Sequence, residues 1–428
     1  MNTKKIALID GLRTPFAKAG TALAKTSAQH LGALVSKELL YRTNITHDII
    51  DEVIFGCVAQ PMNAANISRV IALMAGFDEN ISAYTVARNC ASGMQSLASG
   101  IDQIQAGHAQ IVLAGGTESM SQIPLIFPPS MADWLSILAR AKTPLQKLGA
   151  LTRFRPSMLK PIIGLLEGLK DPFCGLSMGQ TAEILANEFN ITRQEQDQFA
   201  LQSHHKTAAA IKSGFYKDEI MPVWLEGQKD LLSQDIGPRP EQTLEALQKL
   251  KPYFDRKHGS VTVGNSCPIT DGAAAVILAS EEAVEKHKLK PLAWIKSYAF
   301  AGVDPKRMGL GPVAASSKVL ELANMKLSQM DYIEINEAFA AQVLSVLKIF
   351  EQPNLAEHIA NKDVLDGFKR DRVNVHGGAI AMGHPVGTSG TRIVLTLAKT
   401  LQQQNAKYGL ASLCIGGGQG GAMIVERA

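Results

Sequence analysis

The segment that decides the fold runs from residue 88 to residue 114 and reads RNCASGMQSLASGIDQIQAGHAQIVLA. After Cys90, apolar side chains recur at spacings of three and four residues, which predicts a helix with one buried face. Gly107 ends that pattern, and the apolar run 110–114 predicts a buried strand directly after the helix. A cysteine therefore stands at a turn where the chain enters a helix.

The same order of features returns near the C-terminus. A glycine-rich turn around His384 precedes a helical run over 393–401, a strand over 409–414 and the glycines 416–418. Further short apolar runs predict strands at residues 5–10, 52–57, 274–279 and 422–425. Strands that alternate with helices are typical of α/β layers, and the repeated order predicts a duplicated core.

The middle of the chain follows a different pattern, mostly helical, between residues 122 and 249. Thr192 and Glu195 have the spacing of a capping box before an amphipathic run. We expect residues 1–121, completed by about 250–283, to form an N-terminal half. Residues 122–249 form an inserted loop domain in this division, and residues 284–428 form the C-terminal half.

Composition excludes several classes of protein. The 428 residues carry 43 Lys and Arg against 39 Asp and Glu, a net charge of +4, which is too small for a nucleic-acid-binding footprint. No uninterrupted apolar stretch reaches the length of about 18 residues that a membrane-spanning helix requires. The first ten residues lack the apolar core of a signal peptide. Five cysteines without a C-x-x-C spacing fit a reducing cytoplasm.

Cys90 has two interpretations. The positive end of a helix dipole lowers the pKa of a thiol and so favours the nucleophilic thiolate. A free cysteine is nevertheless more often a buried core residue than a nucleophile. Partner residues elsewhere in the chain have to decide between the two.

Three more segments place reactive residue types at glycine-rich turns. They read NEAF at 336–339, GGAIAMGHP at 377–385 and CIGGG at 414–418. Together with residues 88–94, these motifs resemble those of the thiolase family. The resemblance covers nearly the whole chain and includes three further segments: GGTESM at 115–120, MGQTAE at 178–183, and GNS at 264–266 leading to DGA at 271–273.

The resemblance implies both a fold and a reaction. The fold is α/β, with two duplicated halves in a layered αβαβα arrangement and an inserted, mainly helical loop domain. The reaction is acyl transfer between a 3-ketoacyl-CoA and CoA, which gives acetyl-CoA and a shortened acyl-CoA and is reversible to Claisen condensation. The implied catalytic residues are the nucleophile Cys90, the base His384, the second acid/base Cys414, and Asn336 and Gly416 at the oxyanion holes.

Coenzyme A is implied as a substrate, with no tightly bound cofactor and no metal. Arg239 matches a position at its nucleotide end. Met178, Val263, Ala338 and Phe339 match positions that line the pantetheine arm. Cys267 stands where relatives often have serine, and a thiol is the weaker hydrogen-bond donor.

The resemblance leaves the sub-type open. The insertion and residues 250–259 resemble the 3-ketoacyl-CoA thiolase subunit of trifunctional β-oxidation complexes. Asn336 and residues 385–390 instead resemble short-chain thiolases, so a short-chain acetyl-CoA acetyltransferase is the alternative. A decarboxylating condensing enzyme can dispense with a second cysteine, and Cys414 argues against it. A non-catalytic acyl-CoA or lipid carrier would not need the complete set of reactive residues.

Partners are predicted from two features. The family resemblance implies a homodimer or homotetramer. Between residues 140 and 170, seven basic residues and one acidic residue alternate with Leu, Ile and Phe. This stretch is either a solvated interdomain segment or a contact site for a membrane surface or an α-subunit of a β-oxidation complex.

Other motifs have simpler interpretations. Residues 416–421 match a dinucleotide fingerprint, but only seven residues follow Gly421, too few for the helix and acidic residue of that site. His204, His205 and His258 lack partners at metal-ligand spacing. His376 is either held by a local hydrogen bond or lines the active site, and the sequence leaves both open.

Overall fold

The structure, a computed structural model, describes residues 4–225, 227 and 230–428. Its strands are β1 (Ile6–Arg13), β2 (Ala17–Lys18), β3 (Glu52–Gly56), β4 (Ser82–Val86), β5 (Ile111–Ser119), β6 (Leu125–Ile126), β7 (Ile162–Ile163), β8 (Thr270–Ser280), β9 (Ala293–Gly302), β10 (Tyr332–Ile335), β11 (Tyr408–Ile415) and β12 (Gln419–Arg427). Its α-helices are α1 (Ala28–Thr43), α2 (Ile67–Ala75), α3 (Ser92–Gln105), α4 (Pro129–Arg140), α5 (Pro144–Leu151), α6 (Gly164–Gly168), α7 (Met178–Glu188), α8 (Arg193–Ser213), α9 (Leu244–Gln248), α10 (Glu281–His287), α11 (Gly311–Leu322), α12 (Ala340–Glu351), α13 (Ala379–Met382) and α14 (Ser389–Gln403).

One sheet contains the core strands, and its order shows the duplication. The order is β10-β11-β12-β9-β1-β8-β5-β3-β4, with β2 paired to β8. In the first half, β1 pairs with β8 in an antiparallel manner, β8 pairs with β5 in the same manner, and β5 pairs with β3 in a parallel manner. In the second half, β9 pairs with β12 in an antiparallel manner, β12 pairs with β11 in the same manner, and β11 pairs with β10 in a parallel manner. The two halves therefore repeat one strand order, and the pairing of β1 with β9 joins them into one sheet.

The layers are those of an αβαβα arrangement. Helices α3 and α14 pack against each other, and α14 contacts strands of both halves. One hydrophobic cluster unites these two helices with the inner faces of both half-sheets. A second cluster packs α1 and α2 on the outer face of the first half, and a third packs α11 and α12 on that of the second. The predicted fold is confirmed.

Small residues bring the starts of the two central helices together. A Cβ atom on Gly93 would lie 2.8 Å from the backbone nitrogen of Thr391, and one on Gly390 would lie 2.3 Å from that of Met94. Neither distance is compatible with a side chain, so only glycine permits this approach. The consequence is that the segment bearing Cys90 and the segment bearing His384 end beside each other.

The segment between β5 and β8 contains α4 to α9, and the predicted capping box at Thr192 and Glu195 begins α8. Part of this segment is held to β1 by a buried cation. Arg13 pairs with Glu219 at 2.5 Å and with Asp235 at 2.6 Å, and the side chains of all three are buried. A buried guanidinium needs such partners, because an unpaired charge in the interior is strongly unfavourable. Among the described residues, no helix is long and apolar enough to cross a membrane.

Candidate active site

Cys90 lies directly before α3, on a tight turn at the end of the N-terminal half-sheet. Asn89 has a positive φ of 42°, and the Ser92 hydroxyl accepts a hydrogen bond from the backbone N–H of Arg88. The Asn89 side chain donates to the Gly416 carbonyl at 2.7 Å, which ties this turn to the C-terminal half. The thiol therefore lies where the two halves meet.

The pKa of the Cys90 thiol is raised, mainly because burial disfavours the thiolate. The negative charge of Glu118 raises it further. The backbone N–H groups of Gly416 and of Cys90 itself act in the opposite direction, because both donate towards the sulfur. The expectation that this pKa would be lowered was wrong, since burial outweighs the effect of these backbone N–H groups. Cys90 is a neutral thiol that needs a base.

His384 is buried and neutral, and its orientation is set by hydrogen bonds. Burial, followed by the nearby charge of Arg392, lowers the pKa of the imidazole to about 3. Nδ1 lies 2.5 Å from the Ser389 hydroxyl, which itself lies 3.1 Å from the Pro385 carbonyl. If the hydroxyl donates to that carbonyl, it accepts the Nδ1 proton. This arrangement leaves the lone pair on Nε2, which is the form that a general base requires.

Asn336 lies on the Nε2 side of that ring. Its Nδ2 is 3.5 Å from His384 Nε2, and its Oδ1 is buried without a hydrogen-bond partner among the described residues. An unsatisfied buried amide oxygen is costly unless water or a ligand meets it. The structure thus brings these two predicted residues together, with a free acceptor beside them.

Cys414 lies at the end of β11 and is buried. Burial raises the pKa of its thiol well above the ordinary range, and the neighbouring thiols of Cys90 and Cys267 add to the effect. Cys414 is therefore protonated and available as a proton donor. Gly417 and Gly418 follow with φ values of 89° and 80°, and the chain returns directly into β12. Because a strand and not a helix follows the turn, residues 416–421 cannot form a dinucleotide-binding site.

Most of the predicted CoA-binding positions lie around these groups. A Cβ atom built on Gly416 would lie 3.2 Å from the Met178 sulfur. The backbone N–H of Cys267 donates to the Ala338 carbonyl at 3.1 Å, and burial raises the pKa of the Cys267 thiol to about 12. Phe339 is buried next to this strand-like pairing, whereas 61% of Val263 is exposed. These positions run from the thiols towards the surface.

Arg239, the remaining predicted CoA-binding residue, is exposed. Its backbone N–H donates to Nδ1 of His204 at 3.2 Å, and burial together with the Arg239 charge lowers the pKa of His204 to about 4. Among the described residues, its guanidinium has no ion-pair partner within 4 Å. An exposed, unpaired guanidinium is suited to a phosphate group.

His376 packs against the insertion. Its ring stacks on Phe215 at 3.6 Å, and its backbone carbonyl accepts a hydrogen bond from the Tyr216 hydroxyl. Burial lowers the pKa of its ring to about 4. Across the part of the chain that is described, no group of three or more His, Cys, Asp or Glu side chains is placed to hold a metal ion.

Sequence analysis missed the side chains that support these residues. Ser389 orients His384, Asn89 holds the Gly416 turn, and the carboxylates of Glu118 and Glu337 accept backbone N–H groups around the site. Two signals were available in the sequence. Asn89 adjoins Cys90, and each glutamate lies inside one of the family-like motifs, GGTESM at 115–120 or NEAF at 336–339.

Two family models match the chain. One, described as the thiolase N-terminal domain, covers residues 6–282, and the other, the thiolase C-terminal domain, covers residues 289–427. The chain is 43% identical over 426 residues to an acetyl-CoA acetyltransferase of Escherichia coli, covering 99% of each chain. It is 40% identical over 424 residues to a 3-ketoacyl-CoA thiolase of Pectobacterium carotovorum, covering 99% of this chain and 96% of the relative.

A solved structure shows the same likeness. The crystal structure of human mitochondrial 3-ketoacyl-CoA thiolase in complex with CoA is 36% identical to this chain and superposes with a TM-score of 0.86. The match covers 100% of this chain and 98% of that one.

Proposed function

The chain belongs to the thiolase family, and we propose that it is a 3-ketoacyl-CoA thiolase that works through an acyl-enzyme on Cys90. Relatives with this name and relatives named acetyl-CoA acetyltransferase are acyltransferases, so this chain is an enzyme of the same class. The observation that carries the proposal is the packing of the start of α3, which follows Cys90, against the start of α14, which follows His384, with Asn89 tying the Cys90 turn to Gly416 just after Cys414.

The first half-reaction forms the acyl-enzyme. His384 Nε2 accepts the proton of the Cys90 thiol, and the sulfur attacks the 3-keto carbon of the substrate. The backbone N–H groups of Cys90 and Gly416, which act to lower the pKa of the Cys90 thiol, would support the oxyanion at that carbon. The bond between C2 and C3 then breaks, and the electron pair remains on the acetyl-CoA enolate.

The enolate is protonated in the same half-reaction. The protonated imidazole of His384, together with a water held by Asn336 Oδ1, stabilises the thioester oxygen. Cys414, protonated at rest, donates its proton to C2 and acetyl-CoA leaves. In the second half-reaction the Cys414 thiolate takes the proton of an incoming CoA thiol. The CoA sulfur then attacks the acyl group on Cys90, the thioester bond to Cys90 breaks, and the protonated His384 imidazole returns its proton to the Cys90 sulfur.

We propose that CoA binds along the predicted positions that run from the thiols towards the surface. Met178, Ala338 and Phe339 would line the pantetheine arm near the thiols, with Val263 further out and Arg239 at the phosphates. The Cys267 thiol, which stays protonated because burial raises its pKa to about 12, is the polar group next to the arm. No tightly bound cofactor is part of this proposal. The crystal structure of the human relative in complex with CoA supports CoA as the substrate.

A short-chain acetyl-CoA acetyltransferase is the second candidate. Relatives carrying that name match this chain as well as the 3-ketoacyl-CoA thiolases do. The decisive experiment is thiolysis with CoA across 3-ketoacyl-CoA substrates from acetoacetyl-CoA to long chains. A rate that persists or rises with chain length supports the proposal. Activity confined to acetoacetyl-CoA would identify the chain as a short-chain acetyl-CoA acetyltransferase. The absence of both turnover and an acyl adduct on Cys90 would favour a non-catalytic acyl-CoA or lipid carrier.

The edge strand β4 supports assembly with a second copy of the chain. Its sequence SAYTV lacks the charges and prolines that protect sheet edges, and no described strand pairs with its outer side. We propose a homodimer through this edge, on which a tetramer can build. Light scattering should give twice the monomer mass for the native chain and the monomer mass for Ala83→Lys. A native monomer would contradict the proposal.

The basic segment 140–170 supports a further partner. Apolar side chains on and around α4 and α5 are exposed, including Leu135, Ile137, Leu145, Leu148, Leu151, Leu159 and Leu166. Exposed apolar residues next to basic ones are typical of a docking surface. We propose that it contacts an α-subunit of a β-oxidation complex, with a membrane surface as the alternative. Co-purification and flotation with anionic vesicles distinguish the two, and Leu145→Ser with Leu148→Ser should abolish whichever occurs.

The remaining assignments are also proposals. The N-terminal half would comprise residues 1–121 and 250–283. The loop domain would comprise residues 122–249, and the C-terminal half would comprise residues 284–428. A cytoplasmic location is supported by five cysteines without a disulfide among them.

A further inference from the structure

We propose that Glu118 and Glu337 are positioning residues that hold the two ends of the segment 378–388, and thereby place His384 against Cys90. The proposal deepens the proposed function, because it rests on the roles given to Cys90 and His384. Each carboxylate comes from a different half of the fold, and each accepts a backbone N–H from this segment.

Glu118 holds the C-terminal end of the segment. Its Oε2 accepts the backbone N–H of Gly387 at 2.9 Å. The same oxygen accepts the N–H of Val58 at 3.1 Å, and Oε1 accepts the N–H of Ala59 at 3.0 Å. The side chain is fully buried, and Cys57 directs its thiol to it at 3.6 Å. One carboxylate therefore joins the loop after β3 to the loop that carries His384.

The end of β3, directly before this loop, is packed against the start of α3. A Cβ atom on Gly56 would lie 2.3 Å from the backbone of Ser92, the first residue of α3. Gly387 is equally constrained, since a Cβ there would lie 2.7 Å from Glu118 Oε2. Movement of the Glu118 carboxylate would therefore change the distance between the Cys90 turn and the His384 loop.

Glu337 holds the N-terminal end of the same segment. Its Oε2 accepts the backbone N–H of Ile380 at 3.2 Å and the Ser203 hydroxyl at 2.6 Å. Its Oε1 accepts the side-chain amide of Asn374 at 2.9 Å. A Cβ on Gly378 would lie 2.3 Å from the carboxylate, so the backbone lies directly against it. Glu337 also follows Asn336, whose amide contacts His384.

The chemistry of these contacts requires carboxylates. In each glutamate both oxygens accept hydrogen bonds, and within the described residues neither glutamate has a cation within 4 Å. A carboxylate is an acceptor on both oxygens, whereas the amide of glutamine must present a donor on one side. That donor would face an N–H, and a buried donor left unpaired is costly. Glutamine is nearly the same size, so it tests the hydrogen bonds rather than the packing.

The test compares Glu118→Gln and Glu337→Gln with Glu183→Gln. Glu183 is the matched control, because its carboxylate also accepts backbone N–H groups, those of Ser260 and Val261, but has no contact with segment 378–388. The measurements are the melting temperature of each variant and kcat and KM for thiolysis of acetoacetyl-CoA. Displacement of a base by a fraction of an ångström lowers the rate, so we expect kcat to fall roughly ten- to hundredfold in the first two variants. KM should stay within about threefold, because no proposed CoA contact is removed.

The control should lose melting temperature while keeping kcat within about twofold of the native enzyme, since it changes stability alone. A normal kcat in folded Glu118→Gln and Glu337→Gln would overturn the positioning roles, as would an equal fall of kcat in the control. If either variant does not fold, Cys57→Ala and Ser203→Ala remove one donor each and should give a smaller fall in kcat; normal values in both would again overturn the proposal. Failure of the native enzyme to turn over would instead refute the proposed function.

Discussion

The two halves of the molecule share a strand order but not a chemistry. In the N-terminal half, α3 begins two residues after Cys90, so the proposed nucleophile lies next to the helix start. In the C-terminal half, α14 begins five residues after His384, and the intervening turn is anchored by Ser389 and Glu118. The duplicated scaffold thus places one helix start of each half at the same junction, and the loops before those helices supply different groups.

A second contrast lies at the strand ends. The strand β5 of the first half contains Gly115 and Gly116, where the backbone is closely packed. The matching strand β11 of the second half carries Cys414 before its glycines. In the proposed mechanism the C-terminal half therefore contributes the base, the second thiol and Asn336, while the N-terminal half contributes the nucleophile. The duplication thus supplies the geometry, and divergence at a few turn positions supplies the side chains of the proposed reaction.

The largest expected effect separates the two thiols. Cys90→Ala should lower thiolysis by at least roughly 10⁴-fold and abolish the acyl adduct, because the nucleophile is lost. Cys414→Ala should still accept an acyl group from a good donor but fail to exchange the C2 proton. Intact-mass detection and deuterium exchange at C2 measure the two steps. Equal behaviour of the two variants would refute the assignment of different roles to the two halves.

The next effect concerns the base of the C-terminal half. His384→Gln should lower the rate of acylation by roughly 10² to 10⁴-fold, the usual contribution of a general base. Because the glutamine amide cannot take the proton, raising the pH should restore part of the rate by ionising Cys90 directly. A single-turnover acylation assay between pH 7 and pH 10 would show this recovery. An unchanged deficit across that range would place His384 elsewhere in the mechanism.

A smaller effect tests the shared central layer. Leu97 of α3 and Leu397 of α14 are both fully buried in the one cluster that joins the half-sheets. Truncation of either to alanine should lower the free energy of unfolding by about 2–5 kcal/mol, because each leaves a cavity. Denaturant unfolding with Leu145→Ala as an exposed control checks this, and the control should change by less than about 0.5 kcal/mol. A large loss at only one helix would show that the halves are not equivalent in stability.

The smallest expected effect is an acylation rate that does not change with pH near the usual pKa of histidine. Burial lowers the pKa of His384 to about 3, so the imidazole is neutral from pH 5 to pH 8. The acylation rate should therefore show no loss from histidine protonation near pH 6.5. The lowered pKa also makes stability depend on pH. Below about pH 6.5 the unfolded chain binds a proton at residue 384, whereas folded His384 stays neutral, so the free energy of unfolding falls as the pH drops. An inflection of the acylation rate near pH 6.5 would contradict the buried, neutral base, whereas the fall in the free energy of unfolding below that pH should be absent in His384→Gln.

Much of the fold was predictable from local patterns. The strands near residues 5–10, 52–57, 110–114 and 409–414 and the helices after Cys90 and His384 all appear in the structure. Periodicity is a local property, and these elements are buried strongly enough for it to be clear. The continuation of one sheet through the pairing of β1 with β9 was not predicted, because nothing local encodes a contact across nearly 290 residues.

The sequence by itself determined the family, the two-half organisation and the residues that carry the motifs, since these are properties of residue type and spacing. Only the tertiary structure decided their protonation and support. Burial raised the pKa of Cys90 where the helix start alone predicted a lower one. Glu118 meets Gly387 across 269 positions, and Glu337 meets Ile380 across 43. Desolvation and long-range hydrogen bonds depend on what the folded chain brings together, which is why motifs located the reactive groups and packing set their chemistry.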